Sequence, residues 1–99
     1  MHEVLEGIAK TVMDNIRDAE MQYGYAEEAK EHGNHELAAL HIEESRKRLA
    51  GAKEWYDRGM HMLGGDMHKI DPMAALLMQH HKEWYHSIQH KVDTFKPGV

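Results

Sequence analysis

Apolar residues recur along this chain at alternating steps of three and four, in three long runs separated by glycine-bearing interruptions. Over residues 3–31 the recurring positions are Leu5, Ile8, Val12, Ile16, Ala19, Tyr23 and Ala26, which form one buried stripe on a helix. Gly7 and Gly24 fall inside this run and are tolerated there, at about 1 kcal/mol each relative to alanine. His32-Gly33-Asn34 then interrupts it. Gly33 suits the left-handed position just past a helix, and Asn34 can cap the next one.

The second run, residues 34–63, is the most regular. Its seam is Ala38, Ile42, Ser45, Leu49, Ala52, Tyr56, Gly59 and Leu63. One heptad line holds the large side chains and the other holds Ala, Ser, Ala and Gly. Small residues on one line let a neighbouring backbone approach closely, so the pattern predicts this helix at the centre of the packing. Gly64-Gly65 ends it, and Asp71-Pro72 reads as a cap followed by proline at the first helical position. The third run, residues 72–94, carries the stripe Ala74, Leu77, His81, Trp84, Ile88 and Val92, with Phe95 just beyond. The tail KPGV is expected to fray. Short connectors force antiparallel neighbours, so the expected fold is all-α, one domain over 1–99, an up-down-up three-helix antiparallel bundle. Three helices of this length make a thin rod, and dimerisation to a homodimer or larger homo-oligomer would complete a bundle of four or more helices.

Charge narrows the partners. Seventeen acidic and 12 basic residues leave a net charge of −5 with histidine neutral, which argues against a nucleic-acid partner. The 10 histidines could carry −5 to +5 on full protonation, so the surface charge responds to pH between roughly 5 and 7. With no cysteine, disulfides and thiolate metal sites are excluded. No run approaches the roughly 20 apolar residues of a membrane span, and the first residues, MHEVLEGIAK, do not read as a signal peptide. The expected location is the cytoplasm.

Three constellations could carry chemistry. Glu83, His86 and His90 share a face of the third helix and could chelate Zn²⁺ or Cu²⁺, yet they point nearly opposite the apolar stripe and are expected to be solvated. His81 lies within the stripe, near residue 53 of an antiparallel second helix, and reads as a hydrogen-bonded core histidine. Met60, His61, Met62, Met67 and His68 crowd the second connector, and thioether with imidazole suits copper. Met60 and Met62, two apart, cannot both face one point while helical.

The third constellation spans the first two helices. Glu20 and Glu27 flank the stripe of the first helix, while His41 and Glu44 flank the seam of the second together with Leu37, Arg48 and Trp55. From the turn at residue 33, Glu20 lies about 20 Å away, Glu44 about 17 Å, His41 about 12 Å and Glu27 about 9 Å. Carboxylates with an imidazole at interleaved heights are the donor set of a non-haem iron or manganese site. The same acids could equally pair with Arg48, Lys30 or Arg46.

Residues 20–49, EMQYGYAEEAKEHGNHELAALHIEESRKRL, resemble the first helix pair of rubrerythrins and other ferritin-like proteins. The matching positions are Glu20, Tyr23 or Tyr25, Ala26, Ala29, Gly33, Ala38 and Glu43 or Glu44. The resemblance implies a ferritin-like metal-binding bundle, iron or manganese first, in metal handling or redox. The family's Glu-x-x-His is not intact, because Arg46 and Lys47 stand where its histidine would fall; His41 would have to replace it. A different class of function, a non-enzymatic helical module that dimerises or docks a partner through Trp55, Trp84 and the Tyr/Met surface, is the alternative. Copper or zinc binding by the His/Met-rich second half is a third. No phosphate loop or nucleophile elbow is present. Finally, AKEWYDRGMH (52–61) and HKEWYHSIQH (81–90) share KEWY at an offset of 29, which reads as either a duplication or two amphipathic helices with the same packing need.

Overall fold

The computed structural model describes residues 2–62 and 72–98, and the side chains of these except 2–5, 72–75 and 77. Three helices account for nearly all of them: α1 (His2–Glu31), α2 (His35–Met62) and α3 (Pro72–Thr94). The described residues contain no strand. The molecule measures 49 × 17 × 17 Å, the thin rod expected of three antiparallel helices. Within the described residues no helix is long and apolar enough to cross a membrane.

The turn between α1 and α2 forms for the reasons its residues suggest. Gly33 takes a positive φ of 75°, the conformation glycine adopts without a Cβ penalty. The Gly33 amide donates to the Lys30 carbonyl at 3.0 Å and the Asn34 amide to Ala29 at 2.9 Å, which satisfies the last carbonyls of α1. Asn34 Oδ1 then accepts from the Leu37 amide at 3.1 Å, capping α2.

The core is a column of β-branched and small side chains: Ile8, Val12, Ile16, Ala19 and Ala26 of α1 against Ala38, Ile42, Ser45, Leu49 and Ala52 of α2, closed by Ile88 and Val92 of α3. Small residues bring α1 and α2 close together. A Cβ added at Gly59 would stand 3.1 Å from Ile8 Cγ2. The α1–α2 pair is the tightly packed unit, and α3 rests less closely against both partners. That revises the expectation of α2 as the centre. The alanine line of α2 meets the alanines of α1, so the close approach is spent on one neighbour.

α3 runs antiparallel to α2 along the groove. Trp84 Nε1 donates to Glu20 Oε2 at 3.1 Å, and Arg46 pairs with Asp93 at 2.9 Å. The tail expected to fray is held at Pro97, and Phe95 just before it is packed. Phe95 meets the Tyr23 ring edge-on at 5.7 Å and lies under Lys30 Nζ at 5.2 Å, while the His35 ring nitrogen bonds the Pro97 carbonyl. An aromatic anchor one residue past the helix holds it there.

Candidate functional site

On α1, Glu20 and Glu27 lie on the side turned toward α3. Glu20 is exposed and accepts the Trp84 indole bond. Glu27 is exposed beside Tyr23, Lys30, Thr94 and Phe95 at a shallow surface depression. Its carboxylate, second to burial itself, raises the Tyr23 phenol above its ordinary pKa.

On α2, His41 and Glu44 lie on the other flank of the α1–α2 seam. His41 Nδ1 donates to Gln22 Oε1 at 2.7 Å, and its ring stands 5.4 Å from that of Tyr25. Gln22 is two residues from Glu20 and so about 200° around α1 from it. Glu44 is half-buried and pairs with Arg48 at 3.3 Å. The interleaved heights therefore do not become a shared pocket. Glu20 and Glu27 open toward α3, and His41 and Glu44 open away from it. Among the described residues no three His, Asp or Glu side chains gather in a way that could hold a metal ion. The pairing of Glu44 with Arg48 is the edge arrangement that the charge pattern offered as the alternative.

The other constellations are partly in view. Glu83, His86 and His90 are exposed, as their helical direction requires. Met67 and His68 lie outside the described residues, as do Leu63 and the Gly64-Gly65 pair expected to end α2.

His81 is buried, 5 % exposed, and its Nδ1 has no hydrogen-bond partner among the described residues, where a bonded core histidine is expected. Burial, with a smaller contribution from His80, pushes its pKa below the ordinary histidine value. It borders a 270 Å³ cleft between α2 and α3, lined also by Val12, Ala52, Tyr56 and Tyr85, with Lys53, Asp57, Lys82 and His86 among the other lining residues. Burial raises both tyrosines above their usual pKa. Lys53, Tyr56 and Asp57 correspond to Lys82, Tyr85 and His86 in the KEWY repeat. The repeat therefore marks two antiparallel segments that face one another across this cleft, a relationship its sequence signalled without locating.

The flank of α2 that carries His41 and Glu44 continues in both directions at steps of four and three: Leu37, His41, Glu44, Arg48, Gly51, Trp55, Arg58 and Met62. Leu37 and Trp55 are 18 residues apart, five full turns, and so point the same way. Leu37, Trp55 and Met62 are 40 %, 37 % and 43 % exposed, and Tyr25 of α1 is exposed against the His41 ring of the same flank. The Arg58 guanidinium covers the Trp55 ring at 4.8 Å. α3 lies on the opposite flank, against Arg46, Lys53 and Tyr56. The result is a second helical seam on α2, bordered on its α1 side by Gln22 and Tyr25 at His41 and by Asn15 at Gly51, with α3 on the opposite flank. No protein-family model, curated protein or solved structure matches the chain.

Proposed function

We propose that this chain is a non-enzymatic helical interaction module that docks another helix along the outer seam of α2. The observation that carries the reading is the run Leu37, Trp55 and Met62, exposed along the two heptad lines of one seam, with Tyr25 against its His41 position and α3 on the other flank. Large apolar side chains on a helix surface gain most from a partner that removes them from water, and tryptophan and tyrosine are the side chains that anchor such contacts. Trp84, grouped with Trp55 on sequence grounds, is half-buried against the bundle and bonded to Glu20, so it takes no part in this seam.

The iron or manganese reading rests on the donor chemistry of Glu20, Glu27, His41 and Glu44. It has no gathered ligand set among the described residues to support it. The seam reading uses His41 and Glu44 differently, as polar positions between apolar anchors.

The test is the double variant Leu37→Ala/Trp55→Ala. Both side chains are substantially exposed, so the variant should keep its helical circular dichroism. It should lose association with helical partners, its own copies included, measured by sedimentation equilibrium and native mass spectrometry. Association unchanged in the variant would overturn the reading. Stoichiometric iron or manganese in metal-unsupplemented protein, lost in His41→Ala/Glu44→Ala, would restore the metal reading in its place.

A further inference from the structure

We infer that the helix that docks on this seam is α2 of a second copy of the same chain, laid antiparallel about a twofold axis near residue 46; this rests on the seam reading above. The charges of the seam select the arrangement. In a parallel pair like positions face one another, so Glu44 would meet Glu44 and Arg48 would meet Arg48, which like-charge repulsion disfavours. An antiparallel pair brings together positions whose numbers have a constant sum, and only a few sums keep both heptad lines in the interface.

With a sum of 92, Glu44 of each copy faces Arg48 of the other, His41 faces Gly51, and Leu37 faces Trp55. Opposite charges meet at the centre and an apolar pair closes each end, while His41 meets Gly51 next to the Asn15 side chain that already lies against that glycine. The intrahelical Glu44–Arg48 pair, 3.3 Å apart, is already placed to exchange partners. Shifting one heptad outward, to a sum of 99, gains Leu37 over Met62, which the sum of 92 leaves outside the contact, but sets Arg48 over Gly51, Glu44 over Trp55 and His41 over Arg58, with neither central charge matched. Shifting inward, to 85, sets Leu37 against Arg48 and leaves Trp55 unused. The twofold contact spans five turns of α2, about 27 Å. It joins the α1–α2 hairpins of two copies into a central four-helix layer, with the α3 helices on the outside.

The charge reversals Glu44→Arg and Arg48→Glu test this directly. Each alone places two like-charge pairs at the centre and should weaken dimerisation roughly tenfold or more. The double reversal Glu44→Arg/Arg48→Glu rebuilds both pairs with their signs exchanged and should dimerise like the wild type. An equimolar mixture of the two single variants should form the heterodimer that neither forms with itself. Sedimentation equilibrium gives the affinities, native mass spectrometry identifies the heterodimer, and circular dichroism checks that each variant folds. A wild-type chain monomeric up to millimolar concentration would overturn the proposal. So would a double variant as weak as the singles with no heterodimer in the mixture. If that second result came from a chain whose association still depended on Leu37 and Trp55, the seam would stand and only this register would fall. Association indifferent to Leu37 and Trp55 would remove the seam itself.

Discussion

Ser45 Oγ donates to the backbone carbonyl of Ala19 at 2.8 Å, across the α1–α2 interface, and Ser45 itself is wholly buried. A hydroxyl here is both small enough to admit the opposing backbone and bonded, so it carries no desolvation penalty of its own. Ser45→Ala should cost only about 0.5–1.5 kcal/mol, the net worth of one neutral hydrogen bond. Ser45→Leu should cost more, because added methylenes in a packed core cost about 1–3 kcal/mol on top of the lost hydrogen bond. Urea unfolding followed by circular dichroism distinguishes the two. Equal effects would mean that the helices separate freely at this point.

Glycine substitutions should divide according to backbone and space. Gly24 is exposed within α1, and a Cβ there meets nothing within 4 Å. Gly24→Ala should stabilise the fold by up to about 1 kcal/mol. At Gly33 the space is also open but φ is +75°, so Gly33→Ala should destabilise by about 1 kcal/mol. Thermal denaturation should shift in opposite directions for the two variants, and a shared direction would contradict the turn geometry.

Acid should weaken the docking of α3 through His81. Its folded-state pKa is depressed, first by burial and then by His80, so between that value and the unfolded value of 6.5 the unfolded chain binds more protons. Stability is therefore undiminished by this group above about pH 6.5, falls as pH drops from there to the folded pKa, and levels off below it. Charges bordering the same cleft come from Lys53 and Asp57 of α2 and from Lys82 and His86 of α3. His81→Leu should remove this part of the pH dependence and leave stability near neutrality unchanged or higher. The comparison needs unfolding free energies of both proteins at pH 7.5 and at pH 5. Parallel curves would show that another group carries the effect.

α3 should open before the rest of the bundle. Its described contacts with α1 and α2 are sparser than those between α1 and α2, and two of them are the exposed Arg46–Asp93 pair and the exposed Trp84–Glu20 bond. Exposed ion pairs contribute about 0–1 kcal/mol. Native-state amide exchange should give residues 80–92 a lower opening free energy than residues 38–52. Identical values for the two segments would mean that the three helices unfold as one unit.

The helices were largely legible because their boundaries depend on local chemistry. The spacing placed breaks at Gly33 and before Pro72; the first is observed, with Gly33 at positive φ, and the second falls outside the described residues. The seam of α2 is buried at Ala38, Ile42, Ser45, Leu49, Ala52 and Gly59, as its periodicity requires. The site was less legible, because rise per residue gives heights along a rod but not direction around it. Glu20 and Glu44 lie at comparable heights, yet Glu20 serves the α3 side and Glu44 the open side. Which groove α3 occupies depends on the handedness of the bundle, and that is not written in the periodicity of any one helix. Tyr25 and Gln22, the neighbours of His41, could have been found by carrying the same 100° step around α1 as well as α2.

The bond between the His35 ring and the Pro97 carbonyl ties the segment just beyond α3 to the α1–α2 turn. Residue 46 lies about 17 Å along α2 from His35. On the proposed twofold, the two His35–Pro97 ties therefore sit toward opposite poles of the assembly, roughly 30 Å or more apart. Fluorophores attached at that turn would report on assembly from outside the contact, each held away from its twin.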